Sequence, residues 1–413
     1  MRSGPLMARR PAGGPAASRS KRDKAGVPVG ERPEYLRLGT GVHLKILERP
    51  CAYNLLTDEL YELSPEALEF LARCDGTATR KELQPEEEFL DFCLREGVLE
   101  ELERPARREI RVGRNETPSL RYLMVEVTER CNLRCLHCYL GEAGDADLPW
   151  ELLRGILDQF DDMGGLRLMI TGGEPLLYPS FGELNRSLAG KTYRSVLITN
   201  GTLMERVDPG ELNFQEVQFS IDGLREGHDF LRGEGTFDRA WSSLRKTAEA
   251  GLDVSVATVL HRRNLHQLEE LGNALREMGV SSWTLEYPVV SGRLALRPEL
   301  VPEVKEALHF LEMEWGSGPH QGEEGYACGA HLACIEPGGR LVKCGYYREI
   351  SGGYAGGGLR QAWLRLPKMR PEGACARCPS LAECGGGCRF RAELMEGPGG
   401  RDLLMCARLG HGV

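Results

Sequence analysis

Three cysteines fall close together in the run Cys131-Asn-Leu-Arg-Cys135-Leu-His-Cys138-Tyr139. Three thiolates spaced in this way on a loop can ligate three irons of a [4Fe–4S] cube and leave the fourth iron without a protein ligand. An iron left open is a place for another molecule to bind. Zinc would normally take four protein ligands, and only His137 offers a fourth nearby.

A second group holds eight cysteines: Cys328, Cys334, Cys344, Cys375, Cys378, Cys384, Cys388 and Cys406. Eight thiolates are the number that two fully ligated cubes require. Cys334 sits in a strand-like run, where either a ligand or a small buried hydrophobe fits. The spacing C-x2-C-x5-C-x3-C from Cys375 onward also leaves a zinc ribbon open as an alternative. The remaining three of the 14 cysteines, Cys51, Cys74 and Cys93, are scattered and read as core residues of an N-terminal unit. The first thirty residues lack the apolar run of a secretory signal, so a reducing cytoplasm is the expected location and metal ligation outranks disulfides.

The elements that position these groups follow from periodicity. Residues 1–33 read as a disordered tail, with an organelle-targeting peptide as the alternative on composition. Residues 35–104 read as a small α+β unit, with strands at Val42–Ile46, Cys51–Leu55 and Glu59–Leu63. Ser64 then caps a helix with Pro65 at its first position, and a second helix around Glu86–Arg95 stops at Gly97. The charged stretch Glu100–Arg111 reads as a linker. Beyond it come six strand candidates: Tyr122–Val127, Leu166–Thr171, Ser195–Thr199, Val217–Ile221, Val254–Val259 and Trp283–Tyr287. Helical stretches such as Trp150–Met163, Phe237–Ala250 and Leu265–Met278 separate them. This alternation over residues 118–300 implies an α/β fold with a parallel sheet, either doubly wound or a partial (β/α)6 TIM-like barrel, with its site at the C-terminal strand ends. From residue 320 to 413 the chain is rich in glycine and cysteine, and metal ligation is expected to supply much of its folding energy. Within it, Leu332–Ile335 and Arg340–Lys343 flank a Pro-Gly-Gly turn and read as a hairpin.

Composition narrows the function classes. No apolar stretch approaches the roughly 20 residues of a membrane-spanning helix. The net charge of −9 argues against a nucleic-acid surface.

The C-x3-C-x2-C run followed by an aromatic resembles the signature of the radical S-adenosylmethionine (radical SAM) superfamily. Further motifs follow in order. Thr171-Gly172-Gly173-Glu174-Pro175 ends the second strand candidate and is similar to the family's GGE motif, which implies that Glu174 accepts from the methionine amine. Thr199-Asn200-Gly201 ends the third, and Ser220-Ile221-Asp222-Gly223 ends the fourth. The resemblance implies cofactor contacts at Gly172, Gly173, Asn200, Ser220 and Asp222, and adenine packing at Tyr139. Asp222 is equally a turn residue before Gly223. His228-Asp229-Phe230-Leu231-Arg232-Gly233 resembles the family's HDxxRG segment, in which Arg232 either forks onto the methionine carboxylate or is a surface arginine.

The order C-x10-G-x4-C, then C-x2-C-x5-C-x3-C, then C resembles the SPASM domain. That likeness implies two auxiliary [4Fe–4S] clusters, one on Cys328, Cys334, Cys344 and Cys388, the other on Cys375, Cys378, Cys384 and Cys406, making three clusters with the catalytic one. The N-terminal unit resembles the winged-helix-like, PqqD-like domain that recognises leader peptides. Together these imply a ribosomal peptide maturase that cleaves S-adenosylmethionine reductively, modifies a peptide or protein, and takes electrons from a flavodoxin or ferredoxin. Gly345 follows Cys344 where sulfatase-maturing relatives carry an Asp base, which disfavours that subtype. The rival expectations are a decarboxylase or oxidase of a tetrapyrrole or other small molecule, and a non-catalytic electron carrier.

Overall fold

The computed structural model describes residues 34–316 and 329–412, so Cys328 and the tail of residues 1–33 lie outside the described residues. The N-terminal unit begins with β1 (Tyr35–Leu38), β2 (Val42–Ile46), β3 (Pro50–Asn54) and β4 (Glu59–Glu62). The last three form an antiparallel meander. Ser64 caps α1 (Pro65–Arg73) by accepting from the Ala67 N–H at 3.1 Å, with Pro65 at the first helical position where its missing N–H costs nothing.

Next come β5 (Asp75–Thr79), α2 (Arg80–Leu83), α3 (Glu87–Arg95) and β6 (Leu99–Leu102), with β1 pairing antiparallel to both β5 and β6. The expected linker at Glu100–Arg111 therefore starts inside a strand, and β7 (Val112–Arg114) pairs parallel to β2 just after it. Short charged strands such as Leu99-Glu-Glu-Leu give no alternation to detect. Leu36, Leu44, Leu71 and Leu90 centre a core that includes Cys74 and Cys93. Cys51 differs: it packs with Tyr53 and Leu55 against Leu166, outside that core.

Six parallel strands follow in sequential order, β8 (Tyr122–Glu126), β9 (Arg167–Thr171), β10 (Arg194–Thr199), β11 (Glu216–Ser220), β12 (Asp253–Val259) and β13 (Ser282–Glu286). Their crossovers carry α4 (Trp150–Asp162), α5 (Phe181–Ser187), α6 (Arg225–Arg232), α7 (Thr236–Glu249) and α8 (Leu268–Glu277). β8 and β13 do not pair, so the barrel is open, and α9 (Val304–Leu311) follows β13.

The expected hairpin is present as β14 (Leu332–Ile335) and β15 (Arg340–Val342), joined by β16 (Ser351–Tyr354). β14 pairs parallel to β8 and extends the barrel sheet to nine strands among the described residues. Ala333, Ile335, Leu341 and Trp363 of α10 (Leu359–Arg365) belong to the barrel's own hydrophobic core. The C-terminal segment ends with α11 (Leu381–Cys384), α12 (Arg389–Glu396) and α13 (Leu403–Arg408).

Side chains alternate across each strand. Leu123, Val125, Val217, Phe219, Trp283 and Leu285 join the core beneath the helices. Glu126, Ser220 and Glu286, of opposite parity, face the lumen.

Buried charges tie the N-terminal unit to the N-terminal ends of the barrel strands. Arg194, the first residue of β10, pairs with Glu216 at 3.0 Å and with Asp253, and donates to the Leu55 and Leu56 carbonyls at 3.1 Å each. Arg167 pairs with Asp58, and Arg121 with Glu48. Lys45 is 1% exposed and donates to the Gly165 carbonyl at 2.5 Å. Arg194→Ala would take the cationic partner from the buried Glu216, which keeps the Ser255 hydroxyl, and the donor from two carbonyls. The expected cost is about 3–5 kcal/mol, seen as a lower denaturation midpoint and faster proteolysis between the unit and the barrel; an unchanged midpoint would show that the arginine does not anchor the unit.

Candidate active site

The cysteine loop follows β8 and has little regular structure, so other parts of the chain must hold it. Leu136 donates its N–H to the Leu231 carbonyl at 2.8 Å and packs in a cluster with Leu231, Leu294 and Leu300. Asn132 donates to the Thr202 hydroxyl at 2.9 Å and accepts from the Asn200 amide at 3.1 Å. The Arg293 N–H bonds to the Cys138 carbonyl at 3.0 Å, and a Cβ on Gly292 would lie 2.3 Å from that oxygen. Gly292 to Leu294 are supports that the sequence reading missed, because their partners are more than 150 positions away. Only the Gly-before-Arg placement could have drawn notice.

Cys131, Cys135 and Cys138 lie near enough to oppose one another's ionisation. Burial pushes the Cys131 thiol up to about 11, and the Cys135 thiol upward as well. Among the described residues no three Cys, His, Asp or Glu side chains converge closely enough to hold a single ion.

The strand ends around this loop match the sequence motifs. A Cβ on Gly172 would lie 2.4 Å from the Thr128 carbonyl oxygen, and on Gly173 2.3 Å from that of Arg130. Only glycine lets the turn after β9 approach the cysteine loop so closely. Glu174 is fully buried and accepts from the Thr199 hydroxyl at 2.8 Å, the Asn200 N–H at 2.9 Å and the Leu176 N–H at 3.2 Å. Burial raises its carboxyl, which these donors partly offset. Three of its roughly four acceptor positions are thus used within the chain, leaving about one for a ligand.

Asp222 is fully buried, and its carboxylate pairs with Arg232 and accepts the Val259 N–H at 2.8 Å. Burial alone would raise this carboxyl, but Arg232 and the adjacent histidines hold it well below the carboxylate range. The Arg232 side chain is 10% exposed and stands beside Cys135 and Cys131. The HDxxRG segment divides its work by helical spacing. His228 accepts the Asp222 N–H at 3.1 Å, Arg232 lies one turn further on the same face, and Asp229 caps α7 through the Phe237 N–H at 2.8 Å.

His137 and His228 are pushed down, chiefly by burial, to about 3 and about 4. Buried nitrogens of His137, His228 and Arg293 have no partner among the described residues. Such groups cost about 1–3 kcal/mol each when left unmet, so a polar ligand here would satisfy them.

Tyr139 packs against Tyr346 and donates to Glu126 at 3.1 Å. In the C-terminal segment, Cys375, Cys378, Cys384 and Cys406 line one cavity, with Ser380 and His411 also in its wall. The Arg389 guanidinium, missed from the sequence, lies 3.9 Å from the Cys375 sulfur. Cys334 is fully buried on the lumen side of β14, and its thiol is raised by burial and by neighbours that include Cys344. Cys344 in turn feels Cys388. Backbone N–H groups point at Cys131, Cys344 and Cys384, at 3.5, 3.3 and 3.2 Å from sulfur. Amide donors aimed at sulfur suit thiolates that ligate iron–sulfur clusters, so the donor sets fit such groups.

Residues 125–275 match the Radical SAM superfamily model. Mycofactocin maturase MftC of Mycobacterium ulcerans is 30% identical over 318 residues, 66% of this chain and 85% of that protein. The chain belongs to the radical SAM superfamily. Membership makes it a catalytic protein and implies a [4Fe–4S] cluster with S-adenosylmethionine, which removes the support for a mere electron carrier. This radical SAM chain is also 28% identical to an AdoMet-dependent heme synthase of Oleidesulfovibrio alaskensis, over 68% of this chain and 85% of that protein. Its fold is similar to that of Streptococcus suis SuiB, at 16–17% identity, covering 89% of this chain and 99% of that one. The TM-score is 0.66 for SuiB bound to S-adenosylmethionine and 0.63 for SuiB bound to the precursor peptide SuiA. No described helix is long and apolar enough to cross a membrane.

Asp222→Asn would remove the charge that orients Arg232. A charge-assisted contact of about 1.5–3 kcal/mol corresponds to roughly a ten- to hundredfold loss of S-adenosylmethionine affinity. Equilibrium binding would show it, with iron content unchanged; equal affinity would mean that Arg232 needs no orienting partner.

Proposed function

We propose that this chain is a SPASM-type radical SAM maturase of a ribosomally made peptide. Cys131, Cys135 and Cys138 would hold the catalytic cluster, with Gly172, Gly173, Glu174, Asn200, Ser220, Asp222 and Arg232 shaping the place for S-adenosylmethionine. When bound, the cluster supplies one electron that breaks the sulfonium bond, giving methionine and a 5′-deoxyadenosyl radical that takes hydrogen from the substrate. The chain's own part is to orient and to exclude water. Arg232, held by Asp222, presents positive charge for a carboxylate, and the buried Glu174 locks the turn that places Asn200 against the cysteine loop.

In this reading residues 118–300 are the radical core and 320–413 the SPASM domain. Cys375, Cys378, Cys384 and Cys406 would hold one auxiliary cluster, and Cys334, Cys344 and Cys388 would serve another together with Cys328. A flavodoxin or ferredoxin would supply the electrons. Residues 35–104 would be the PqqD-like leader-recognition domain. The observation that carries the peptide reading is that β4 is a terminal strand of its sheet among the described residues, as β7 is on the other side. An unpaired strand edge accepts an extended peptide through main-chain hydrogen bonds. The names of the maturase relative and of the peptide-bound SuiB agree with it. A second reading, oxidation or decarboxylation of a tetrapyrrole, is favoured by relatives named AdoMet-dependent heme synthase and Fe-coproporphyrin III synthase.

Anaerobic reconstitution separates these readings. Replacing Cys131, Cys135 and Cys138 by alanine should lower the iron content by about four per chain and abolish 5′-deoxyadenosine formation. Incubation of the intact protein with short peptides encoded beside its gene, or with iron coproporphyrin, is read by mass spectrometry. A mass change in a peptide only when its leader is attached supports maturation. A change in the porphyrin alone sinks it.

A further inference from the structure

The aromatic residues beside the cysteines form a continuous contact that the proposed reaction leaves unused. Tyr139, one position after Cys138, meets Tyr346, two positions after Cys344, with ring centroids 4.8 Å apart. Tyr346 stacks on Phe390, two positions after Cys388, at 6.1 Å and an interplanar angle of 20°. Both separations lie in the range of favourable aromatic pairs, about 4.5–7 Å. The N–H of Tyr347, the next residue after Tyr346, points at the Cys344 sulfur at 3.3 Å, which sets Tyr346 beside that cysteine. One end of this aromatic row therefore lies at the catalytic loop, its middle ring beside Cys344, and its far end two positions after Cys388.

The row is held in place. Tyr139 donates to the buried Glu126, and Arg348 pairs with that carboxylate while its guanidinium lies 5.9 Å from the centre of the Tyr139 ring. Gly345 leaves room for this packing. A Cβ there would lie 3.2 Å from the Tyr139 oxygen and 3.4 Å from its Cε2. The position that carries an Asp in sulfatase-maturing relatives is here the floor on which an aromatic ring rests.

We propose that Tyr139, Tyr346 and Phe390 form an electron-tunnelling bridge between the cluster on Cys131, Cys135 and Cys138 and the cluster to which Cys344 and Cys388 contribute. The proposal rests on the reading that both cysteine groups hold [4Fe–4S] clusters. One electron crosses: one cluster is oxidised by one electron, the other reduced by one, and no protein bond forms or breaks. The rings serve as the medium and are not themselves oxidised. Tunnelling weakens steeply across empty space, and rings in contact fill the space between the two cysteine groups.

The test needs no peptide. The reconstituted full-length protein is reduced with dithionite, freed of excess reductant and mixed with S-adenosylmethionine. Each sulfonium takes one electron and breaks into methionine and a 5′-deoxyadenosyl radical, which takes a hydrogen atom from added tert-butanol, whose carbon radicals pair with one another and return no electron to the protein. The first equivalent of 5′-deoxyadenosine draws on the catalytic cluster and should form equally fast in wild type, Tyr346→Phe and Tyr346→Leu. Later equivalents must draw on the C-terminal clusters. They should slow several-fold in Tyr346→Leu, keep pace in Tyr346→Phe, and be matched by reduced auxiliary-cluster signals that persist longer in electron paramagnetic resonance of frozen samples. Equal later rates and equal signal decay in Tyr346→Leu overturn the bridge, as does a wild type whose auxiliary signals never decay. An iron count of a single cluster in wild type removes the far terminus and also overturns it. Absence of even the first equivalent sinks the proposed function and the bridge together.

Discussion

The constraint on which this protein depends is that a loop with almost no structure of its own must hold three thiols together at the mouth of an open barrel. Thiols pushed upward by burial, as at Cys131 and Cys135, do not ionise unaided. Their neighbours must therefore fix the loop and favour negative charge. Leucines from α6 and from the segment after β13 pin Leu136, Asn200 grips Asn132, and the Arg293 N–H holds the Cys138 carbonyl. Arg232 and Arg293 add positive charge beside Cys135. The site is thus assembled from loops after several different strands, the general condition of a barrel whose chemistry sits at the C-terminal strand ends.

The opposite end of the same barrel does different work. Arg121, Arg167 and Arg194 each stand at or just before the start of a strand and turn toward the N-terminal unit. Buried pairs of this kind are weak evidence for net stability, since desolvation offsets much of the attraction. Their consequence is geometric: a half-satisfied arrangement is costly, so the unit is held in one orientation. The N-terminal unit and the cysteine loop consequently occupy opposite ends of the barrel.

The C-terminal segment is less separate than its composition suggests. β14 pairs with β8, so the hairpin that begins the cysteine-rich region is part of the barrel sheet. Its alternation places Ala333 and Ile335 in the barrel core and Cys334 on the lumen side. The same pairing brings Arg348 to Glu126 and Tyr346 to Tyr139. Two groups of cysteines nearly 200 positions apart thereby share one wall.

The amino-acid sequence by itself determined the six parallel strands, the helix starting at Pro65, the hairpin around Gly339 and the motifs that end the strands, but not that the crossover from β10 to β11 carries only short 3-10 turns. These are local: periodicity, caps, glycine-dependent turns and ligand spacing act over a few residues. The short strands β6 and β7 escaped it because three or four residues, several of them charged, carry no period. Only the tertiary structure decided that Asp222 turns inward to Arg232, that Cys51 faces Leu166, that Cys375, Cys378, Cys384 and Cys406 share a cavity, and that Gly345 makes room for Tyr139. Each of these is a contact between distant positions, set by how strands pair and which face a side chain takes. No spacing along the chain encodes it.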